Sequence, residues 1–295
     1  MGDLWAGAAG SAPNLEGLTE HTKGEVLLRR GSLTGWLGTI QQIDRAQETA
    51  KNLLSESIAV FQSLQDSKKV AEAQTEMAVC YKREGAIDNA RVWFAQALSR
   101  LDDEDGDLKA VALLRSAVLE QLANRLNDAL KILITAAPLF QTSTNQTLQG
   151  RFHNEYAMVL EELGAIEKRA DYLDQALIEY SAASFHFDQA RHARYHACVE
   201  NNLAMLFLKL NRFKEAHEHL DHAQALFTKL KDNVHLAQVE ETRARVMLAE
   251  GDLVNAAKSA KSAVQRLEKA QQPTPLKVAL MPPHNMVLDF HLANF

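Results

Sequence analysis

Histidine is the residue type whose placement in this sequence most resembles a reactive or metal-binding site. Six histidines lie close together in the second half of the chain: His186, His192, His196, His217, His219 and His222. His192, His196 and Glu200 are spaced four residues apart, so on a helix they would share one face. However, Arg191 and Arg194 would repel a cation there, and neither an HExxH nor a paired-cysteine motif is present. We interpret the histidines as solvated or capping side chains and expect no metal and no cofactor.

Two further segments resemble ligand-binding motifs. Gly31, Gly35 and Gly38 have helical spacing, which favours close packing of helices over a phosphate-binding loop. The acidic run at 102–105 lacks the alternating ligands and the final Glu of an EF-hand, so we expect a solvated loop with Asp107 as the next helix N-cap. The sequence contains no nucleotide-binding phosphate loop, dinucleotide fingerprint or serine nucleophile elbow. The sequence therefore predicts a protein that is not an enzyme.

Composition narrows the class of protein further. The net charge of −6 argues against a broad nucleic-acid interface, and no apolar run reaches the roughly 18 residues that a membrane span requires. No basic segment followed by an apolar stretch opens the chain, so we expect no secretory signal. Cys80 and Cys198 both fall in predicted helices, and we expect two buried free thiols. Together these features predict a cytoplasmic location.

Small residues recur at fixed offsets every 39 to 40 positions, with one longer step of 47. The positions that we assign to turns are Arg45, Gly85, Asn124, Gly164, Asn211 and Gly251. The positions seven residues earlier are Gly38, Ala78, Ala117, Ala157, Ala204 and Ala244. Self-similarity at such a period is typical of stacked repeats, in which each unit packs on its neighbours.

Helical periodicity predicts two helices for each repeat. The pairs are expected at 24–43/46–64, 68–84/86–101, 107–123/126–140, 148–163/167–188, 192–209/212–230 and 234–249/252–269. The domain organisation is then a flexible leader at 1–23, a repeat array at 24–270 and a proline-interrupted apolar tail at 271–295. We interpret this tail as a cap on the last helix pair, with a docking segment as the alternative. The longer step indicates an insertion at about 165–171, expected to lengthen the second helix of the fourth pair or to change the twist locally.

The small-residue pattern resembles that of the tetratricopeptide repeat. The residues that carry the resemblance are Trp36-Leu37-Gly38 with Ala50, Asn202-Leu203-Ala204 with Ala216, and the series Met77, Ala78, Tyr81, Gly85, Ala90, Phe94 and Ala97. The resemblance implies an all-α, right-handed superhelical solenoid of about six antiparallel helix pairs. The period near 40 differs from the family's usual value of about 34 and is similar to that of some bacterial signalling regulators.

The resemblance also implies where a ligand would bind, because the first helices of such arrays line a concave groove. The corresponding positions are Thr75, Val79, Lys82, Leu114, Val118, Gln121, Asn154, Met158, Glu161, Asn201, Met205, Leu208, Glu241, Arg245 and Leu248. We interpret the chain as a scaffold that binds a protein or peptide partner there, with no direct nucleic-acid binding. The alternative is a peptide- or small-ligand-responsive sensor of a bacterial signalling or transcription pathway. Asn154 and Asn201 share one repeat position by this count, as do Met158 and Met205, and Asn amides could hydrogen-bond a peptide backbone.

Overall fold

The computed structural model describes residues 13–270 and, within them, twelve α-helices and no β-strand. The helices form six antiparallel pairs, which confirms the all-α helix-pair repeat expected from the sequence. The helices are α1 (Glu20–Gln41), α2 (Ala46–Ser63), α3 (Ser67–Arg83), α4 (Ile87–Leu98), α5 (Gly106–Leu122), α6 (Leu126–Thr142), α7 (Gln146–Glu167), α8 (Ala170–Gln189), α9 (Ala193–Lys209), α10 (Phe213–Leu230), α11 (Asn233–Ala249) and α12 (Leu253–Ala270). The expected tail at 271–295 and most of the expected leader lie outside the described residues.

The described chain divides into two compact units of three helix pairs each. In the first unit, which contains α1 to α6, each helix packs on the next, and α3 also packs on α1 and α5. Its buried core includes Leu28, Leu54, Phe61 and Met77. In the second unit, which contains α7 to α12, successive helices pack in the same way and α9 also packs on α11.

Corresponding helices of the two units are separated by a nearly constant number of residues. The helices α1, α3 and α4 begin 126 residues before α7, α9 and α10, and α5 and α6 begin 127 residues before α11 and α12. Residues with a left-handed backbone recur at the matching turns: Gln42 and Lys168, Gln65 and Arg191, Gly85 and Asn211, and Asn124 and Gly251. The two units are therefore two copies of one three-pair arrangement.

Glycine lets the helices of each leading pair approach closely in both units. A Cβ atom on Gly24 would lie 2.8 Å from the Phe61 ring, and one on Gly150 would lie 2.9 Å from the Phe187 ring. A Cβ atom on Gly38 would overlap that of Ala46. The expectation that this glycine serves helix packing is confirmed, since the residue lies inside α1 against α2.

The prediction of a turn at Gly164 is wrong. Gly164 lies inside α7, where an added Cβ would meet the Leu173 side chain at 2.8 Å, and the helix ends three residues later with a left-handed Lys168. Helix α7 is 22 residues long and matches α1, which also has 22 residues. The expected lengthening of the second helix was therefore assigned to the wrong element: the extra turns lie mainly in the first helix of the pair.

Two smaller expectations concern the start of α5 and the state of the two cysteines. Asp107 is not the N-cap of α5, because the helix begins one residue earlier, after a short 3-10 turn at Asp103–Asp105. Cys80 and Cys198 are free thiols, as expected. Burial raises the pKa of each thiol to about 12, so both are protonated and unreactive at neutral pH.

Candidate functional site

Buried polar side chains are concentrated on the first helix of each pair. Among the described residues, all of them except Ser57 lie on α1, α3, α5, α7, α9 or α11. Burying a polar group is unfavourable unless it is hydrogen-bonded, so this arrangement is not what packing alone would select. We therefore expect a binding site on the first helices of the pairs.

The side chains that the sequence assigned to a groove differ widely in exposure. Eight of them are buried: Thr75, Val79, Leu114, Val118, Asn154, Met158, Glu161 and Asn201. Five are partly buried: Lys82, Gln121, Met205, Leu208 and Glu241. Arg245 and Leu248 are exposed. Exposure thus increases from α7 towards α11 within the second unit.

Asn154 is a structural link between two helices of the second unit. Its side chain is fully buried, and its Oδ1 accepts a hydrogen bond of 3.2 Å from Nδ2 of Asn202. Its own Nδ2 donates to Glu155 at 3.1 Å and lies 3.3 Å from the sulfur of Met158. Both polar atoms of Asn154 are therefore occupied within α7 and α9.

The corrected end of α7 changes which residues are repeat equivalents. Gly164 lies 40 residues before Ala204, and both are buried small residues inside first helices. On this register the counterpart of Asn201 in α7 is Glu161, and the counterpart in α11 is Glu241. We call Glu161, Asn201 and Glu241 the acceptor row, because each carries a side-chain oxygen that accepts hydrogen bonds.

Glu161, the first member of the acceptor row, is held by two partners. Its carboxylate accepts a 2.7 Å hydrogen bond from the hydroxyl of Tyr180 and forms a 2.7 Å ion pair with Nζ of Lys209. Burial, together with the charge of Glu161, raises the pKa of Tyr180 well above its usual value. The phenol therefore stays protonated and donates to the carboxylate, which ties α7 to α8 and α9.

Asn201, the central member, has an unused acceptor. The residue is only 7% exposed, and its Oδ1 is buried with no hydrogen-bond partner in the described part of the chain. Met205 and Leu208 follow Asn201 at helical spacing on the same face of α9, and both are partly buried. A buried oxygen without a donor costs about 1–3 kcal/mol. A ligand that donates an N–H to it would remove that cost.

The third member, Glu241, is more accessible than the other two. Its side chain is 45% exposed and accepts from Arg245 one turn further along α11. This pair lies on one helix and both of its members reach solvent. Pairs of this kind contribute only about 0.3–0.5 kcal/mol, so a competing cation could displace Arg245 at little cost.

The first unit has different side chains at the corresponding positions, which are Gly35, Thr75 and Leu114. Gly35 has no side chain, and Leu114 is fully buried. The hydroxyl of Thr75 donates to the carbonyl oxygen of Ala71 at 2.9 Å and is thereby satisfied within its own helix. The row in the first unit therefore has no carboxylate or amide oxygen, and its one hydroxyl already donates within α3.

Three of the six clustered histidines surround one buried carboxylate, that of Glu200. Glu200 is 3% exposed and lies 2.6 Å from the hydroxyl of Ser184 and 2.9 Å from Nδ1 of His219. His196 and His222 lie within 3.5 Å of the same carboxylate. His192, by contrast, stacks near Tyr195 with ring centroids 4.0 Å apart. Within residues 13–270 no three His, Cys, Asp or Glu side chains are placed to hold a metal ion.

Burial and hydrogen bonding act on Glu200 in opposite directions. Burial would raise the pKa of its carboxyl, but the hydrogen bonds from His196, His219 and Ser184 together outweigh it and lower the pKa. The carboxylate is therefore charged and links α8, α9 and α10. The sequence indicated the enrichment in histidine but not this pairing, since the partners lie on different helices.

No family model matches the sequence, and no curated protein matches it. The structure of BtubC from P. vanneervenii is similar, with a TM-score of 0.66 and 21% identity over 81% of this chain and 98% of that chain. This similarity covers nearly the whole described chain. The chain has a tetratricopeptide-type helical repeat fold.

Two other solved structures with this tetratricopeptide-type fold are also similar. A Rap protein complexed with Competence and Sporulation Factor has a TM-score of 0.62 at 14% identity, covering 84% of this chain and 67% of that chain. Aspartyl phosphate phosphatase F from Bacillus subtilis has a TM-score of 0.61 at 14% identity, covering 88% and 74%. At such identities the similarity establishes the fold. None of the helices within residues 13–270 has the length and apolar character of a membrane span.

Proposed function

We propose that this chain is a non-enzymatic binding protein and that the second unit holds a peptide segment of a partner along its acceptor row. The observation that carries the proposal is the buried, unpartnered Oδ1 of Asn201. A peptide backbone presents an N–H group at every residue except proline, so an extended segment can supply the missing donor. At the corresponding row position of the first unit, Thr75 is hydrogen-bonded within α3.

The surroundings of Asn201 suit a peptide better than a small polar ligand. Met205 and Leu208 lie on the same face of α9 and provide adaptable apolar contact for peptide side chains. Asn202 is fixed by its bond to Asn154, and Glu161 by Tyr180 and Lys209. Because these neighbours are already ordered, binding would cost little additional side-chain entropy.

The comparison with solved structures supports the proposal without assigning a partner. One protein of similar fold is known in complex with Competence and Sporulation Factor. Another is named a phosphatase, so a similar fold also occurs in a protein with an enzyme's name. We favour binding because Oδ1 of Asn201, beside Met205 and Leu208 on α9, is a buried acceptor without a donor among the described residues.

The test is selection of ligands by the intact protein from a phage-displayed library of random peptides. Peptides selected by the wild type are synthesised, and their Kd values are measured by calorimetry. The Asn201→Thr variant, which carries the residue of the first unit, is expected to bind at least tenfold more weakly. The matched variant Thr75→Val is expected to bind within twofold of the wild type.

Circular dichroism and thermal unfolding show whether both variants remain folded. If the wild type selects no peptide, the proposed function is wrong. If Thr75→Val weakens binding as much as Asn201→Thr does, the site is not on the acceptor row.

A further inference from the structure

The acceptor row combines one amide with two carboxylates, and this combination indicates the charge of the ligand. Asn201 lies between two carboxylates at equivalent repeat positions, Glu161 and Glu241, each 40 residues away in sequence. An acidic pair alone would only describe a charged surface. Here the residue between the carboxylates is more than nine-tenths buried and has an oxygen without a donor. The row itself therefore carries only acceptors, and the positive charge beside it comes from Lys209 on Glu161 and Arg245 on Glu241.

The carboxylates of Glu161 and Glu241 differ in how strongly their partner side chains hold them. Glu161 is 2% exposed at its side chain and is bound from two directions by Lys209 and Tyr180. Removing a partner from such a buried carboxylate is strongly unfavourable, so Glu161 is not open to exchange. Glu241 is 45% exposed, and its partner Arg245 is 51% exposed. Glu241 is therefore the carboxylate that a ligand can reach.

Resting on the proposed function, we infer that the bound peptide carries a cationic group that pairs with Glu241. This group is a Lys or Arg side chain or a free terminal amine. It takes the place of Arg245, which swings into solvent, while a backbone N–H of the same peptide donates to Asn201. Glu161, whose charge is balanced by Lys209, does not contact the ligand.

The packing of α9 on α11 sets the distance between the two contacts. Helices that pack directly have axes about 8–10 Å apart. An extended peptide advances about 3.3 Å per residue. The cationic group therefore lies about three residues from the amide that donates to Asn201. This spacing is a property that selected peptides must share if the inference holds.

The experiment uses the full chain and the same peptide library. Peptides are selected separately on the wild type, on Glu241→Gln and on Glu218→Gln. Glu218 is a matched control because its side chain is a 65% exposed carboxylate on the second helix α10, in a loose pair with Lys214. The strongest wild-type peptide is then made in three forms: unmodified, with its cationic side chains replaced by norleucine, and with its amino terminus acetylated.

We expect Lys or Arg, or a required free amino terminus, to be enriched at one position in peptides selected by the wild type and by Glu218→Gln. Glu241→Gln should bind the selected peptide at least tenfold more weakly. Loss of affinity on norleucine replacement identifies a side chain as the cation, and loss on acetylation identifies the terminal amine. Peptides that lack a cationic group and bind Glu241→Gln as tightly as the wild type would overturn the inference but leave the proposed function intact. Selection of no peptide by the wild type overturns both.

Discussion

Helices α3 and α9 show how the two units resemble each other and how they differ. Each has 17 residues, and each is the first helix of the middle pair in its unit. The small packing residues are the same, with Ala71 and Ala78 in α3 and Ala197 and Ala204 in α9. Between them, the satisfied Thr75 of α3 corresponds to the unpartnered Asn201 of α9.

This comparison separates residues that build the repeat from residues that act on a ligand. Positions where helices touch keep small side chains in both units, because a larger side chain would force the axes apart. The row changes from glycine, threonine and leucine in the first unit to carboxylate and amide acceptors in the second. The same scaffold thus carries an inert row in one unit and a candidate binding row in the other.

The largest expected effect concerns the glycines that both units share. In Gly38→Ala the new Cβ would overlap the Cβ of Ala46, a short side chain fixed to its backbone, so the helices must separate. We expect a loss of about 3 kcal/mol in the free energy of unfolding, measured by urea denaturation. In Gly164→Ala the new Cβ meets the flexible end of Leu173, and the higher helix propensity of Ala partly offsets the strain.

For Gly164→Ala we therefore expect a loss of about 1 kcal/mol or less. Equal losses for the two variants would show that the leading pairs of the two units are not packed as described.

The next effect concerns Tyr180, whose counterpart in α2 is the apolar Leu54. Tyr180→Phe removes the hydroxyl that donates to the buried carboxylate of Glu161. A hydrogen bond to a charged group contributes about 1.5–3 kcal/mol, and we expect a loss of about 2 kcal/mol on thermal or urea unfolding. In a Glu161→Gln background the same substitution should cost clearly less. An equal cost in both backgrounds would contradict the link between the two side chains.

A smaller effect should depend on pH. Glu200 has a lowered pKa, whereas its counterpart in the first unit is the neutral Gln74. A carboxyl whose pKa is lower in the folded state contributes stability above the unfolded value of 4.5, and this contribution is lost as the pH falls towards the folded value. We expect Glu200→Gln to cost about 1–2 kcal/mol at pH 7. This difference from the wild type should shrink below pH 4.5.

The matched variant Gln74→Met should show no such dependence in urea titrations over the same pH range. A Glu200→Gln difference that stays constant, or grows as the pH falls, would contradict the arrangement described for this carboxylate.

The smallest effect is expected on the outer side of α8. Ile178 and Phe185 are 67% and 59% exposed, and the residues at the corresponding positions of α2 are Asn52 and Ala59. The double variant Ile178→Asn/Phe185→Ala transfers the residues of α2 to α8. Because the side chains are exposed, we expect the free energy of unfolding to change by less than about 0.5 kcal/mol. The Kd of the selected peptide should also stay within twofold of the wild-type value, and a larger weakening would move the site towards α8.

The helix pairs could be predicted because small residues at Ala78, Ala90 and Ala97 repeat at the points where helices must touch. The position at which α7 ends could not be predicted in the same way. Gly164 resembles a residue that ends a helix, but here it allows contact with Leu173 inside one. The recurrence of Gly24 and Phe61 as Gly150 and Phe187, 126 residues later, would have placed the end of α7 correctly.

The candidate site was predicted only in part. All three members of the acceptor row were among the residues assigned to a groove, but the equivalence of Glu161 with Asn201 and Glu241 was missed because the count in α7 began from Gly164. The open acceptor of Asn201 depends on which donors its neighbours direct towards it, and a sequence does not specify that. The grouping of Glu200 with His219 has the same origin, since it joins α9 to α10.

Hydrogen exchange of the full chain, measured by mass spectrometry with and without a selected peptide, tests the central claim most directly. We expect slower exchange in the second unit, in α9 at Ala193–Lys209 and in α11, with no change in α3 at Ser67–Arg83. The same experiment on Asn201→Thr should show little protection at the same peptide concentration. Protection confined to the first unit, or equal protection of α3 and α9, would contradict the assignment of binding to the acceptor row.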